Sequence, residues 1–150
     1  MRKEYNTTQS LEIIAAPEEC YRLLCDFEGY PKWFKNVRKV SITDLGEDGR
    51  PLRAHYVFDI AIKQGFQIVL EYGYEDDKCR LNYKSVGGTF SDASGYYQFR
   101  RLTTGKTLAE FYVHVGLGVV LPSKITSYLM DVVQVGVLKM MKNELEKDIT

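Results

Sequence analysis

Three side chains capable of proton transfer alternate along one predicted strand late in the chain. Glu110, Tyr112 and His114 share one face of the segment "TLAEFYVHVGLGVV", because side chains two residues apart in a strand point to the same side. If that face looks inward, a carboxylate, a phenol and an imidazole would line one cavity wall and could support general acid–base chemistry. If it looks outward, the three form a hydrated surface, which is the simpler interpretation.

The other reactive side chains form no familiar catalytic or metal-binding pattern. His55 and His114 are the only histidines, and His55 has the opposite strand parity from its apolar neighbours. Cys20, Cys25 and Cys79 lack zinc-type spacing and a histidine pair, which predicts free thiols in a cytoplasmic protein. Ser-His-Asp order, a glycine-rich phosphate loop and an HExxH helix are absent from the sequence. We therefore predict no confident catalytic residue, no metal and no cofactor.

A larger set of residues predicts binding of an apolar ligand. Such a site needs an apolar cavity with a few hydroxyl groups. Several tyrosines facing one dry core would leave hydroxyls unsatisfied, which a wet cavity or a polar ligand would relieve. The residues with suitable strand parity or helical spacing are Tyr56, Phe58, Ile68, Leu70, Tyr72, Tyr83, Tyr97, Phe99, Ile125, Tyr128, Leu129 and Val132. Each of them taken singly is equally compatible with an ordinary core.

Six strands in the middle of the chain would carry most of these side chains. Apolar and polar residues alternate in "NVRKVSITDL", in the two strands of 51–77, and in "CRLNYKSV", "SDASGYYQFRRL" and "TLAEFYVHVGLGVV". A break is predicted near Lys63, Gln64 and Gly65. Because only short turns separate the strands, they should form an antiparallel meander.

Helices are predicted on both sides of this meander. After a first strand, "TTQSLEII", Pro17 with Glu18 and Glu19 favours a helix start, and a second short helix is expected from Pro31 to Phe34. Pro122 opens an amphipathic helix of about 25 residues that runs into the C-terminal "KNELEKD". This long helix should cover the apolar face of a curved sheet, which predicts an α+β fold with an elongated gap between helix and sheet.

Two short features bear on access to this gap. Gly116 and Gly118 precede Pro122 and could either let the connecting loop move as a gate or simply permit the turn. In "EGYPKWF", the adjacent side chains of Trp33 and Phe34 cannot both point into a cavity. We predict that Trp33, rather than Phe34, contacts the ligand.

Composition limits the remaining functions. The chain has 150 residues, 45% of them hydrophobic, which fits one domain spanning residues 1–150. Lys+Arg and Asp+Glu both number 20, so no nucleic-acid partner is expected, although "KWFKNVRK" could contact phosphates. No apolar run is long enough for a membrane span, while transient membrane contact stays open. The composition does not determine the oligomeric state.

Three segments resemble the START/polyketide cyclase (SRPBCC) superfamily. They are "IIAAPEECYRLLCDFEGYPKWFKNVRKVSI", "SGYYQFRRLTTGKTLAEFYVHV" and "LGVVLPSKI", in the order and spacing typical of that superfamily. The chain looks most similar to its aromatase/cyclase-like and coenzyme Q-binding branch. The resemblance covers nearly the whole chain.

The resemblance implies a helix-grip fold like that of the birch pollen allergen. It also implies a deep apolar pocket for a lipid, an isoprenoid quinone or an aromatic polyketide. Most members are carriers or binding proteins, some are cyclases or dehydratases, and some relatives bind the ribosome. We therefore expect a binding protein for a hydrophobic small molecule, with a polyketide cyclase or dehydratase as the alternative and an interaction module as the second alternative.

Overall fold

The architecture is that of a computed structural model, which describes residues 3–60, 63–88, 92–117 and 136–149. The strands are β1 (Lys3–Ile13), β2 (Val37–Leu45), β3 (Pro51–Ile60), β4 (Lys63–Glu75), β5 (Arg80–Gly88), β6 (Ala93–Thr103) and β7 (Lys106–Leu117). The helices are α1 (Pro17–Cys25), α2 (Tyr30–Trp33) and α3 (Val137–Glu146), with 3₁₀ turns at Phe27–Gly29 and Asp76–Lys78.

All seven strands form one antiparallel sheet in the order β1-β7-β6-β5-β4-β3-β2. The predicted meander is β2 to β7, and β1 returns to pair with the last strand, Lys3 opposite Leu117. Register shifts in β2–β3 and between Val69 and Leu70 of β4 mark bulges, which bend a sheet locally. One face of the sheet is thereby curved around the buried core.

The short helices follow the predicted cues. Pro17 occupies the first turn of α1 after an extended Ala16, and Glu18 and Glu19 lie at the positive end of the helix dipole. The helix ends at Cys25 because Asp26 has left the helical region at φ −85° and ψ 73°. After the 3₁₀ turn at Phe27–Gly29, α2 begins at Tyr30, one residue before the predicted start.

The break between β3 and β4 lies earlier in the sequence than the position predicted near Lys63, Gln64 and Gly65. Ile60 already pairs with Lys63, so the two strands are joined at 61–62, outside the described residues. Gly65 lies inside β4 with φ +78°, a left-handed conformation that glycine adopts without strain, and its amide N–H donates to Asp59 Oδ1 over 2.9 Å. The glycine therefore marks an irregularity within the strand.

The described part of the C-terminal helix, α3, is fixed to the β1 end of the sheet. Val137, Leu138 and Met141 are its buried residues. Lys142 Nζ donates to the Glu12 carbonyl over 3.0 Å, and Glu146 Oε2 accepts from the Ile14 amide over 3.0 Å. Residues 122–135 of the predicted helix lie outside the described residues.

Candidate functional site

A cavity of about 170 Å³ lies between the sheet and the helical segments. It is comparable in size to an apolar cavity that accepts a benzene molecule, roughly 150 Å³. Its walls come from α2, the segment before β2, strands β2 to β7, and the start of α3. The residues lining it are Tyr30, Phe34, Asn36, Val37, Tyr56, Phe58, Ile68, Leu70, Tyr72, Tyr83, Ala93, Tyr97, Phe111, Val113, Val115 and Val137.

Most of the ligand contacts that were predicted on strands line this cavity. The predicted residues that line it are Tyr56, Phe58, Ile68, Leu70, Tyr72, Tyr83 and Tyr97. Phe99 has the same parity but is part of the filled core, at 2% exposure. The predicted helical contacts Ile125, Tyr128, Leu129 and Val132 lie outside the described residues, as does Gly118.

Phe34, and not Trp33, lines the cavity at the α2 end. Trp33 is the last residue of α2, while Phe34 has turned to extended geometry at φ −98° and ψ 91°. The two rings still contact each other, with centroids 5.7 Å apart. The Trp33 ring packs against Tyr30 in a T-shaped contact with centroids 5.1 Å apart. Trp33 therefore supports a cavity residue from behind, where its buried Nε1 has no hydrogen-bond partner in the described part of the chain.

Most of the inner tyrosine hydroxyls are satisfied within the protein. Tyr56 and Tyr72 share a hydrogen bond across neighbouring strands, and Tyr30 donates to the Leu24 carbonyl over 2.5 Å. The Tyr83 hydroxyl donates to the Tyr112 carbonyl over 3.1 Å. Stacking adds further order, as between Tyr97 and Phe111, whose ring centroids lie 4.3 Å apart. The expected excess of unsatisfied hydroxyls is thus largely relieved by these internal bonds.

The cavity is electrically neutral around physiological pH. Desolvation raises the pKa values of Tyr30, Tyr56, Tyr72, Tyr83 and Tyr97 well above the ordinary range for tyrosine, so each remains a neutral phenol. No lining residue in the described ranges carries a formal charge. The tyrosines can therefore donate or accept hydrogen bonds, but they are poor proton acceptors.

Asn36 is the one amide among the lining residues, and no sequence pattern points to it. Its side chain is 8% exposed, its Nδ2 donates to the Asp59 carbonyl over 3.3 Å, and its Oδ1 is buried without a partner among the described residues. Asn36 lies just before β2, where strand parity gives no orientation. Phe111, Val113 and Val115, in contrast, could have been found because their parity is opposite to that of Glu110.

The three proton-transfer candidates lie on the outer face of β7. Thr107, Ala109, Phe111, Val113 and Val115 are its buried residues, so the alternating Glu110, Tyr112 and His114 point away from the cavity. Glu110 Oε1 pairs with Arg100 Nε over 3.3 Å. Asn6 Oδ1 lies 3.1 Å from the Tyr112 hydroxyl and 2.6 Å from His114 Nδ1. The condition for acid–base chemistry inside the cavity, an inward Glu110 face, is not met.

Within the described ranges, Glu4, Asp92 and His114 form a group of three potential metal ligands. Their donor atoms lie within 4.8 Å of one another on the outer face, with Glu4 exposed and the other two partly buried. Carboxylate and imidazole donors suit a divalent cation. No spacing in the sequence indicates this group, because only the pairing of β1 and β6 with β7 brings the three together.

The basic residues of "KWFKNVRK" lie on the surface of the described structure. Lys35 and Arg38 are exposed, and Arg38 pairs with Asp59 over 2.7 Å. Aromatic residues Trp33 and Phe34 of the same segment are turned toward the protein interior. This arrangement leaves no exposed ring among them for a nucleotide base to stack on. None of the helices within the described residues is long and apolar enough to cross a bilayer.

The cysteines are free thiols with little tendency to ionise. Cys20 is fully buried and Cys25 partly buried, and burial raises the pKa of each thiol to about 12. Both thiols are therefore neutral at pH 8. A thiol in the unfolded chain ionises with its ordinary pKa of 9.0. Above pH 9 the unfolded state therefore gains charge that the folded state does not, and the folded protein loses stability as the pH rises toward 12.

Cys20 should react with a thiol reagent at least about tenfold more slowly in the native protein than in urea at pH 8, because only the thiolate attacks. A Cys25→Ser/Cys79→Ser variant isolates this thiol for a stopped-flow measurement with Ellman's reagent. A Cys20→Ser variant provides the matched control for the other two thiols. Equal Cys20 rates in native and unfolded protein, with circular dichroism unchanged, would contradict the assignment.

A family model described as polyketide cyclase/dehydrase and lipid transport matches residues 13–146 of the chain. No curated protein matches the sequence significantly. The match covers both the strands and the helices that line the cavity, so it applies to the site as well as to the scaffold.

Three solved structures show how closely the fold is shared. A START superfamily protein from Mycobacterium smegmatis is 19% identical with a TM-score of 0.81, over 97% of this chain and 99% of that one. The Zhui aromatase/cyclase from a Streptomyces species is 13% identical with a TM-score of 0.83, over 99% and 97%. The major latex-like protein 151 from Panax ginseng is 12% identical with a TM-score of 0.71, over 95% and 97%. The α+β helix-grip fold implied by the sequence resemblance is confirmed.

Proposed function

Because the chain belongs to the polyketide cyclase/dehydrase and lipid transport family, we propose that it binds a hydrophobic small molecule non-covalently between the sheet and the C-terminal helix. The observation that carries this proposal is the neutral cavity lined by aromatic and aliphatic side chains. Burial of an apolar ligand there would be favoured at about 25 cal/mol for each Å² of apolar surface removed from water. The protein would act as a carrier or binding protein.

The chemistry of the cavity favours binding over cyclase or dehydratase activity. Proton abstraction needs a group whose pKa lies near the working pH, and the inner tyrosines have raised pKa values instead. Glu110 and His114 lie on the opposite face of β7. At 13% identity, the similarity to an aromatase/cyclase supports the shared fold and not a reaction. The classes proposed are a lipid, an isoprenoid quinone and an aromatic polyketide.

Purified protein should release a hydrophobic compound when it is denatured in organic solvent and the extract is examined by mass spectrometry. A ligand from one of these classes should also stabilise the folded state, by about 2.7 kcal/mol at a free concentration of 100 times Kd. A thermal-shift panel of fatty acids, quinones and flavonoids would measure this. An empty extract together with no shift from any class would refute the proposed function.

A further inference from the structure

We propose that Asn36 determines ligand specificity, with its Oδ1 accepting a hydrogen bond from a hydroxyl or N–H group of a neutral ligand. This inference rests on the proposed function of the cavity and adds a chemical class to it. The carrying observation is that Asn36 lines the cavity, while its side-chain oxygen is buried and has no hydrogen-bond partner in the described part of the chain. Buried polar groups are almost always hydrogen-bonded, so such an exception marks a place where a ligand group fits.

Neighbouring backbone groups fix the orientation of the Asn36 amide. The Asn36 carbonyl accepts from the Asp59 amide over 2.9 Å, and Asn36 Nδ2 donates to the Asp59 carbonyl over 3.3 Å. Rotating the amide by half a turn would place Oδ1 against that carbonyl, two acceptors facing each other. The nitrogen is therefore assigned to Asp59, and the oxygen is the atom left for the ligand.

The acceptor character of Oδ1 selects the ligand group. An alcohol, a phenol or an N–H can donate to it, whereas an ether or a quinone carbonyl cannot. Tyr97 also lines the cavity, and its hydroxyl has no hydrogen-bond partner among the described residues. This hydroxyl can donate a hydrogen bond to a second polar atom of the ligand or accept one from it. A ligand with one donor and a largely apolar body matches both positions.

A charged ligand head does not fit the same cavity. A carboxylate buried there would lose its hydration, and none of the described lining residues offers a cation in return. The inferred class is therefore a neutral, hydroxyl- or N–H-bearing apolar molecule, such as a phenol or an alcohol. A fatty acid would have to keep its carboxylate outside the cavity.

Two probes that differ only in the donor test the inference on the wild-type protein. We expect 2-naphthol to bind at least about tenfold more tightly than 2-methoxynaphthalene, which keeps the ring and the oxygen but cannot donate. Isothermal titration calorimetry measures both, and 2-naphthoate serves as the charged probe, expected to bind more weakly than either. Equal affinity for naphthol and its methyl ether would overturn the inference.

Asn36→Leu should remove the preference for 2-naphthol while changing the affinity for 2-methoxynaphthalene by less than about threefold. Asn82→Leu is the matched control, because it makes the same change on the outer face of β5 and should keep the wild-type preference. An unchanged naphthol preference in Asn36→Leu would overturn the role of Asn36. If Asn36→Leu does not fold, the wild-type comparison still decides.

The two proposals fail in different ways. If none of the three probes binds the wild-type protein and organic extracts contain no ligand, the proposed function fails and the inference with it. If the probes bind with no preference for the donor, the cavity still binds ligands and only the assignment of Asn36 is lost.

Discussion

Replacing Gly95 by alanine should lower the free energy of unfolding by about 3 kcal/mol, or roughly 10 °C in Tm. Gly95 lies in β6 between Tyr83 of β5 and Val113 of β7. A Cβ atom at this position would lie 2.7 Å from the Tyr83 hydroxyl and well inside van der Waals contact with the Tyr112 carbonyl oxygen. The alanine would therefore both separate two strands and break the hydrogen bond between those two groups.

Chemical denaturation with urea, followed by circular dichroism, measures the effect of Gly95→Ala. Gly73→Ala is the matched control, because a Cβ there would meet only the Asn82 Cβ, at 3.9 Å. That substitution near the end of β4 should change stability by less than about 0.5 kcal/mol. If Gly95→Ala were as stable as Gly73→Ala, the result would contradict the close contact between the Tyr83 hydroxyl and Gly95.

Ala93→Phe should weaken ligand binding by about 100-fold, or about 2.7 kcal/mol, while leaving the protein folded. Ala93 lines the cavity at the start of β6, next to Val115 of β7. A phenyl ring at this position would occupy space that a ligand needs, and it would itself bury apolar surface. Overpacking of the surrounding side chains sets the cost in stability, about 1 kcal/mol.

Titration of Ala93→Phe with 2-naphthol, and with any compound found in the organic extract, gives the loss in affinity. Ser94→Phe introduces the same ring one residue along, on the outer face of β6 opposite His114, and should bind as the wild-type protein does. Wild-type affinity in Ala93→Phe would place the ligand outside the cavity. Equal losses in both variants would indicate a general effect on the fold.

The sheet could be predicted because strand periodicity is a local property. The two-residue periodicity of a strand predicts that Tyr56, Tyr72 and Tyr97 lie on the inner face, and all three line the cavity. Parity cannot tell a cavity wall from a filled core, which is why it also selects Phe99. It selects Phe111 only when the inward face of β7 is known, and the sequence alone leaves that face open. The distinction depends on how far the helices stand from each strand, and this is set by packing between residues distant in the sequence.

The polar residues of the site could not be predicted from strand periodicity, for a different reason. Asn36 lies between α2 and β2, where a change of one backbone torsion decides which side chain faces inward. The same ambiguity affects Trp33 and Phe34, of which only Phe34 lines the cavity. The hydrogen bonds of the inner tyrosines were also unpredictable, since the acceptor for Tyr83 is a backbone carbonyl on a strand that is not its neighbour.

The pairing of β1 with β7 has a consequence for the order in which the protein can assemble during synthesis. Within the described sheet, β7 is the only strand hydrogen-bonded to β1, and it ends at Leu117. Strands β2 to β7 can pair with a neighbour as soon as the next strand has emerged, because each adjoins its successor. Strand β1 is made before β2 to β7 but must wait, with its edge unpaired, until residues 106–117 have been made. The N-terminal strand is thus the last strand to join the sheet.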